Sequence, residues 1–181
     1  MNRIININGE IKDKHGIEIA NKIMAANMSP NVDNIILFIN SNGGDVDVIT
    51  IIWETIKMCD KPVVSLGTYL VASTAAAIFM MANRRIILPN TKFVLHKSVF
   101  TLNGEFTVDE LKDMIESSER NTELLLEPVI QNSKISKQVL YRNIKGTDWE
   151  IYDEFCKYGI ATEEYDINAV KFLLSNTSRK N

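Results

Sequence analysis

A chain of 181 residues, 45% apolar and 24% charged, fits a single domain over residues 1–181 with one buried core. Its formal charge of -3 comes from interspersed acidic and basic residues with no polybasic stripe, so neither nucleic acid nor an anionic membrane is indicated as a partner. Cys59 and Cys156 are too few and too far apart for a disulfide framework or a CxxC metal site, and "MNRIININGEIKDKH" contains no signal-type apolar region, so the expected compartment is the reducing cytoplasm.

The first run, "RIININGEI", is β-rich and reaches a turn at Asn8-Gly9, after which Ile17, Ile19, Ala20, Ile23, Met24 and Met28 recur at mostly helical spacing. "NIILFIN" is a buried strand ending in "SNGGDVD", followed by a helix marked by Val46, Ile49, Ile52, Trp53 and Ile56. "KPVVSLGTYL" supplies a third strand, with its helix from about Ser73. The uncharged stretch Val63 to Ala82 is long enough for a bilayer helix, but polar residues dilute it and it splits into a β-branched half and an alanine-rich half. A buried strand turning into a buried helix is expected there. "RRIILPNTKFVLHKSVF" gives further strands broken at Leu88-Pro89-Asn90, and the alternation predicts a largely parallel sheet with right-handed crossovers.

Beyond Phe100, "TLNGEF" reads as a turn with short extended flanks. A long polar helix follows, announced by Thr107 and Glu110 as a capping box. It packs either against a partner subunit or on its own core. Shorter helices are expected in "SKISKQVLYRNIKG", "DEFCKYGI" and "INAVKFLLSN".

Chemistry is sought at the carboxyl ends of the strands, where open parallel sheets place their sites. Gly43-Gly44 let the backbone approach a ligand closely; the plain alternative is a tight turn with Asp45 or Asp47 at the next helix start. Ser73 begins a helix, where the dipole favours developing negative charge, yet serine is also an ordinary N-cap. GxSxG, HExxH, GxGxxG, zinc and P-loop patterns are missing from the sequence, so no metal or other cofactor is expected. A Ser-His mechanism must use His15, in the charged turn "KDKHG", or His96, at the end of an apolar strand.

"FINSNGGDVDVITIIWETIK", "VVSLGTYLVASTAAAIFMMA" and "LPNTKFVLHKS", in that order, resemble the ClpP serine peptidases from Arg3 to about Leu174. The resemblance implies an α/β fold of repeated ClpP/crotonase-like β-α units with a projecting handle helix at about 101–132. It implies Ser73 as nucleophile, His96 as general base, and backbone N-H groups of Gly44 or Asp45 and of Thr74 as the oxyanion hole. An ungapped comparison puts Thr147 at the family's aspartate position; a one-residue slip gives Asp148, which carries the charge the role needs and is the expected third member. Two rings of seven subunits meeting through the handle, enclosing sites that cut unfolded polypeptides, are implied as well. Partners would be an AAA+ unfoldase or host subunits, although the chain begins almost at the family's first core strand, so the axial loop and helix that engage the unfoldase are expected to be missing. The alternatives are an inert ring subunit, an acyl-CoA enzyme of the crotonase type, and a Ser-Lys dyad through Lys97 or Lys92.

Overall fold

The computed structural model describes residues 1–176. Three β-α units open the chain: β1 (Asn2–Ile11) and α1 (Asp13–Met28), β2 (Asn34–Gly44) and α2 (Val48–Lys57), β3 (Val63–Ala72) and α3 (Thr74–Met80). They are followed by β4 (Arg84–Ile87), β5 (Lys92–Leu95), α4 (Val108–Asn132), α5 (Lys137–Asn143), β6 (Trp149–Ile151), α6 (Phe155–Tyr158) and α7 (Ile167–Ser175).

The sheet runs β1-β2-β3-β5-β6, with β4 also on β3. β3 serves two neighbours in succession: Val64 to Gly67 pair with β4, and Leu70 to Ala72 pair with β5. The changeover falls at Tyr69, held at φ 57°. All pairs are parallel except β5 with β6. That antiparallel strand is an addition to the sequence reading, and the extended flanks expected around "TLNGEF" form no strand.

Both faces of the central strands are covered, which is why "NIILFIN" reads as continuous apolar sequence rather than as an alternation. Ile35, Leu37 and Ile39 join the main core with the first three helices, whereas Ile36 joins Val64, Leu66 and Ile86 beneath Val170 and Leu173 of α7. Burying such a side chain stabilises the fold by about 1.5–3 kcal/mol each, so these strands anchor the molecule. All of α3 is buried, and Ala75, Ala76 and Ala77 let that short helix lie close on the sheet. The stretch Val63 to Ala82 is thus strand then helix, as its composition implied, and no helix among the described residues is long and apolar enough to cross a membrane.

The long helix α4 starts as its sequence predicts: Thr107 Oγ1 accepts from Glu110 N-H at 3.3 Å and Glu110 Oε2 accepts from Thr107 N-H at 2.7 Å. Its far end is fixed by Arg85, 6% exposed, whose guanidinium donates to the carbonyls of Ile160, Ala82, Asn132 and Gly159 at 2.7–2.9 Å. Burial lowers the pKa of that guanidinium, and the four carbonyls stand in for a counter-ion.

Candidate active site

Ser73 stands between β3 and α3 at φ 56° and ψ -127°. A side chain in that region of backbone space costs on the order of 1–3 kcal/mol, and such strain persists only where the surroundings enforce it. Here they do. Ser73 N-H donates to Val94 O at 3.1 Å, and its own carbonyl accepts from Ala76 and Ala77 N-H, so the residue is held from both sides. Its side chain makes no capping bond. The N-cap explanation for this serine therefore fails, and the half-buried residue stands at a sharp strand-to-helix turn without a capping role.

The glycine pair closes on the same turn. A Cβ on Gly43 would fall 2.7 Å from Ser73 Cβ and 2.9 Å from Thr74 N, and one on Gly44 would fall 1.9 Å from Ile11 O. Ser41 locks this loop: its hydroxyl accepts from Gly43 N-H at 3.0 Å and donates to Gly9 O at 2.5 Å. Thr74 Oγ1 donates to Gly44 O at 2.9 Å, stitching the two loops together. Thr74 also opens α3, where a backbone N-H has no intrahelical acceptor and remains available to an anion.

Asp45 is corrected by the geometry. Its N-H donates to Ile11 O at 2.8 Å, so it is committed to the sheet and cannot also serve an oxyanion. Its carboxylate accepts from Asp13 N-H at 2.9 Å and so caps α1, not the helix that follows it in sequence. Asp47 occupies the N-cap position of α2 without a side-chain cap bond. Gly44 and Thr74 face each other across this corner through the bond from Thr74 Oγ1 to Gly44 O.

His96 follows the last residue of β5, two residues beyond the carbonyl that holds Ser73. Its Nδ1 lies 2.6 Å from Lys97 O. A carbonyl oxygen only accepts, so Nδ1 carries the proton and Nε2 keeps the lone pair that a general base needs. His15 is elsewhere, at the start of α1, where Nδ1 accepts from Lys12 N-H at 3.1 Å.

The pairing Leu95 with Trp149 closes the β5-β6 ladder, and His96 and Asp148 are the residues just beyond that pair on either side. Asp148 is thus level with the histidine, on exposed chain, while Thr147 is one step further out. Among the described residues no hydrogen bond or ion pair links Ser73, His96 and Asp148 to one another. A neighbouring clasp holds β6 in place: Lys92 pairs with Glu150, and Tyr152 OH donates to Glu150 Oε2 at 2.5 Å. The bond from Lys92 holds the Glu150 carboxyl below its usual range, and the same bond raises Lys92. A cavity of about 640 Å3 lies at the opposite ends of the strands, lined by Asn2, Asn34, Arg84 and Phe172 among others, away from Ser73 and His96.

Sequence reasoning passed over Ser41, which sits inside a quoted motif, and two hydroxyls of α4, Ser118 and Thr122, that bond to the chain just after His96. Hydroxyls four residues apart on a polar helix give no signal that separates them from a solvated face.

Comparison with known proteins places most of the chain in one family. The family model described as Clp protease matches residues 1–166. The ATP-dependent Clp protease proteolytic subunit 3 of Rhizobium meliloti is 32% identical over 167 residues, covering 88% of this chain and 82% of that protein. Its counterpart from Rhizobium etli is 30% identical over 176 residues, covering 91% and 87%. A solved ClpP1 mutant from Listeria monocytogenes superposes with a TM-score of 0.78 at 25% identity, covering 92% of this chain and 93% of that one.

Proposed function

The chain belongs to the Clp protease family, and on that premise we propose that it is a serine endopeptidase that cuts unfolded polypeptides inside a ring assembly. The observation that carries the reading is the backbone strain at Ser73: a serine forced to φ 56° without any capping bond, beside the Gly43-Gly44 loop and one strand from a histidine whose Nε2 has no hydrogen bond among the described residues.

In this reading Ser73 Oγ attacks the scissile carbonyl carbon while its proton passes to His96 Nε2. The N-H groups of Gly44 and Thr74 receive the oxyanion. The tetrahedral intermediate collapses with the amine leaving on the proton held by His96, and water, deprotonated by the same nitrogen, then hydrolyses the acyl ester. Asp148, level with His96, stabilises the imidazolium by its charge. One peptidase domain carries the site, with the handle at about 101–132 available for ring-to-ring contact. Heptameric rings stacked as a tetradecamer, fed by an AAA+ unfoldase or joined by host subunits in the cytoplasm, complete the proposal.

A fluorophosphonate probe tests the nucleophile directly. Covalent labelling at Ser73, lost in Ser73→Ala, is the expected result. A second reading, an inert ring subunit, draws on the missing bonds between Ser73, His96 and Asp148 among the described residues. Assembled rings that leave the probe unreacted and peptides uncut would favour it.

A further inference from the structure

The peptide unit joining Lys97 to Ser98 is engaged at both ends. Its carbonyl, on Lys97, faces His96 Nδ1 at 2.6 Å. Its N-H, on Ser98, donates to Thr122 Oγ1 at 3.0 Å. Thr122 is 7% exposed and passes its own proton back along α4 to Ser118 O at 2.9 Å, while Ser118 Oγ donates to Ser98 O at 3.1 Å. Three of these bonds close a circuit through Ser98, Thr122 and Ser118, to which the histidine is joined by the Lys97-Ser98 peptide, and the hydroxyl of residue 122 must both accept and donate. Serine or threonine fits that requirement, and valine, of the same shape, does not.

Residues 96–106 have no strand or helix of their own, so nothing in the sheet fixes the plane of this peptide. We propose that Thr122 is the positioning residue for the histidine: by holding the Lys97-Ser98 peptide from α4, it fixes the carbonyl that orients the imidazole and keeps the proton on Nδ1. A peptide N-H that donates also polarises its carbonyl, which strengthens the bond on the other side. The inference rests on His96 being the general base, and it makes α4 a support for that base.

The test uses the full chain with Thr122→Val and Thr122→Ser, followed by two readouts. The first is the rate of Ser73 labelling by a fluorophosphonate. The valine variant is expected to fall by about 30-fold, within the roughly 100-fold that a misplaced catalytic group costs, while the serine variant stays within about threefold of wild type. The second is the ring tautomer of His96, from long-range nitrogen-proton correlations on histidine-labelled protein, with His15→Gln to assign the signals. Wild type and Thr122→Ser are expected to show the proton on Nδ1, and Thr122→Val a mixture of both tautomers. Wild-type labelling rate together with an unchanged tautomer in Thr122→Val would overturn the proposal. If the valine variant does not fold, Thr122→Ala removes the same acceptor of the Ser98 N-H without a branched side chain in the helix, and an unaltered labelling rate and tautomer there overturn the proposal equally. Failure of wild type to label defeats the peptidase reading alone, because the tautomer measurement needs no activity.

Discussion

Around Ser73 the constraints come from the core: strand β3 on one side, an entirely buried α3 on the other, and a glycine loop pressed against the turn. Around His96 they come from the periphery, from one side-chain circuit on α4 and a three-residue antiparallel strand. The nucleophile and its amides are therefore built into the buried turn itself, whereas the base is held by side-chain and backbone bonds at the end of its strand. Damage on the first side should appear as lost stability, and damage on the second as lost turnover in a molecule that still melts normally.

Gly44→Ala probes the first side and should give the largest effect. Gly44 has φ 153°, and an added Cβ would lie 1.9 Å from the backbone oxygen of Ile11, which cannot move without breaking the β1-β2 ladder. A cost on the order of 4 kcal/mol is expected, read as a fall in the denaturant midpoint. A variant that melts like wild type but has lost activity would erase the distinction between the two sides.

Asp148→Asn probes the second. Because the Lys97 carbonyl already orients the ring, the carboxylate has only charge to contribute, from an exposed position where solvent weakens it. Turnover should fall about tenfold, equivalent to about 1.4 kcal/mol, with the melting temperature unmoved. Thr147→Ala should leave both alone. A larger loss from Thr147→Ala than from Asp148→Asn would move the third role one residue back.

The same division governs what the sequence could disclose. The β-α units, the strand-to-helix break at Ser73 and the Thr107 capping box depend on neighbours a few residues apart, and periodicity and cap chemistry expose them directly. The true role of Asp45 does not, because the helix it caps begins 32 residues earlier in the chain. β6 is three residues long and only Ile151 is fully buried, too little pattern to mark a strand. The choice between Asp148 and Thr147 depends on register in that strand, which no local propensity fixes. Ser73 and His96 could be proposed from the sequence because their motifs are long; the bonds around His96 could not, because they are built from hydroxyls and a backbone peptide.

The smallest effect concerns the clasp that keeps β6, and with it Asp148, beside the histidine. Glu150 has its pKa lowered first by the bond from Lys92 and then by that from Tyr152, so its contribution is present above the ordinary carboxylate value of about 4.3 and is lost as pH falls through the lowered value. Lys92 is raised by its bond to Glu150, so its contribution is present below about 10.4 and is lost as pH rises through the raised value. Tyr152, raised by the same carboxylate, follows Lys92 in sign, since only the neutral phenol donates. The clasp should therefore be intact across the whole neutral range and open at both extremes. Trp149 lies in β6 against Tyr158, with ring centroids 5.6 Å apart, so its emission in a Trp53→Phe background reports that opening. Constant emission from about pH 5 to 9, with shifts only beyond, is expected on these signs. A transition inside that window would show that a group outside the clasp controls β6.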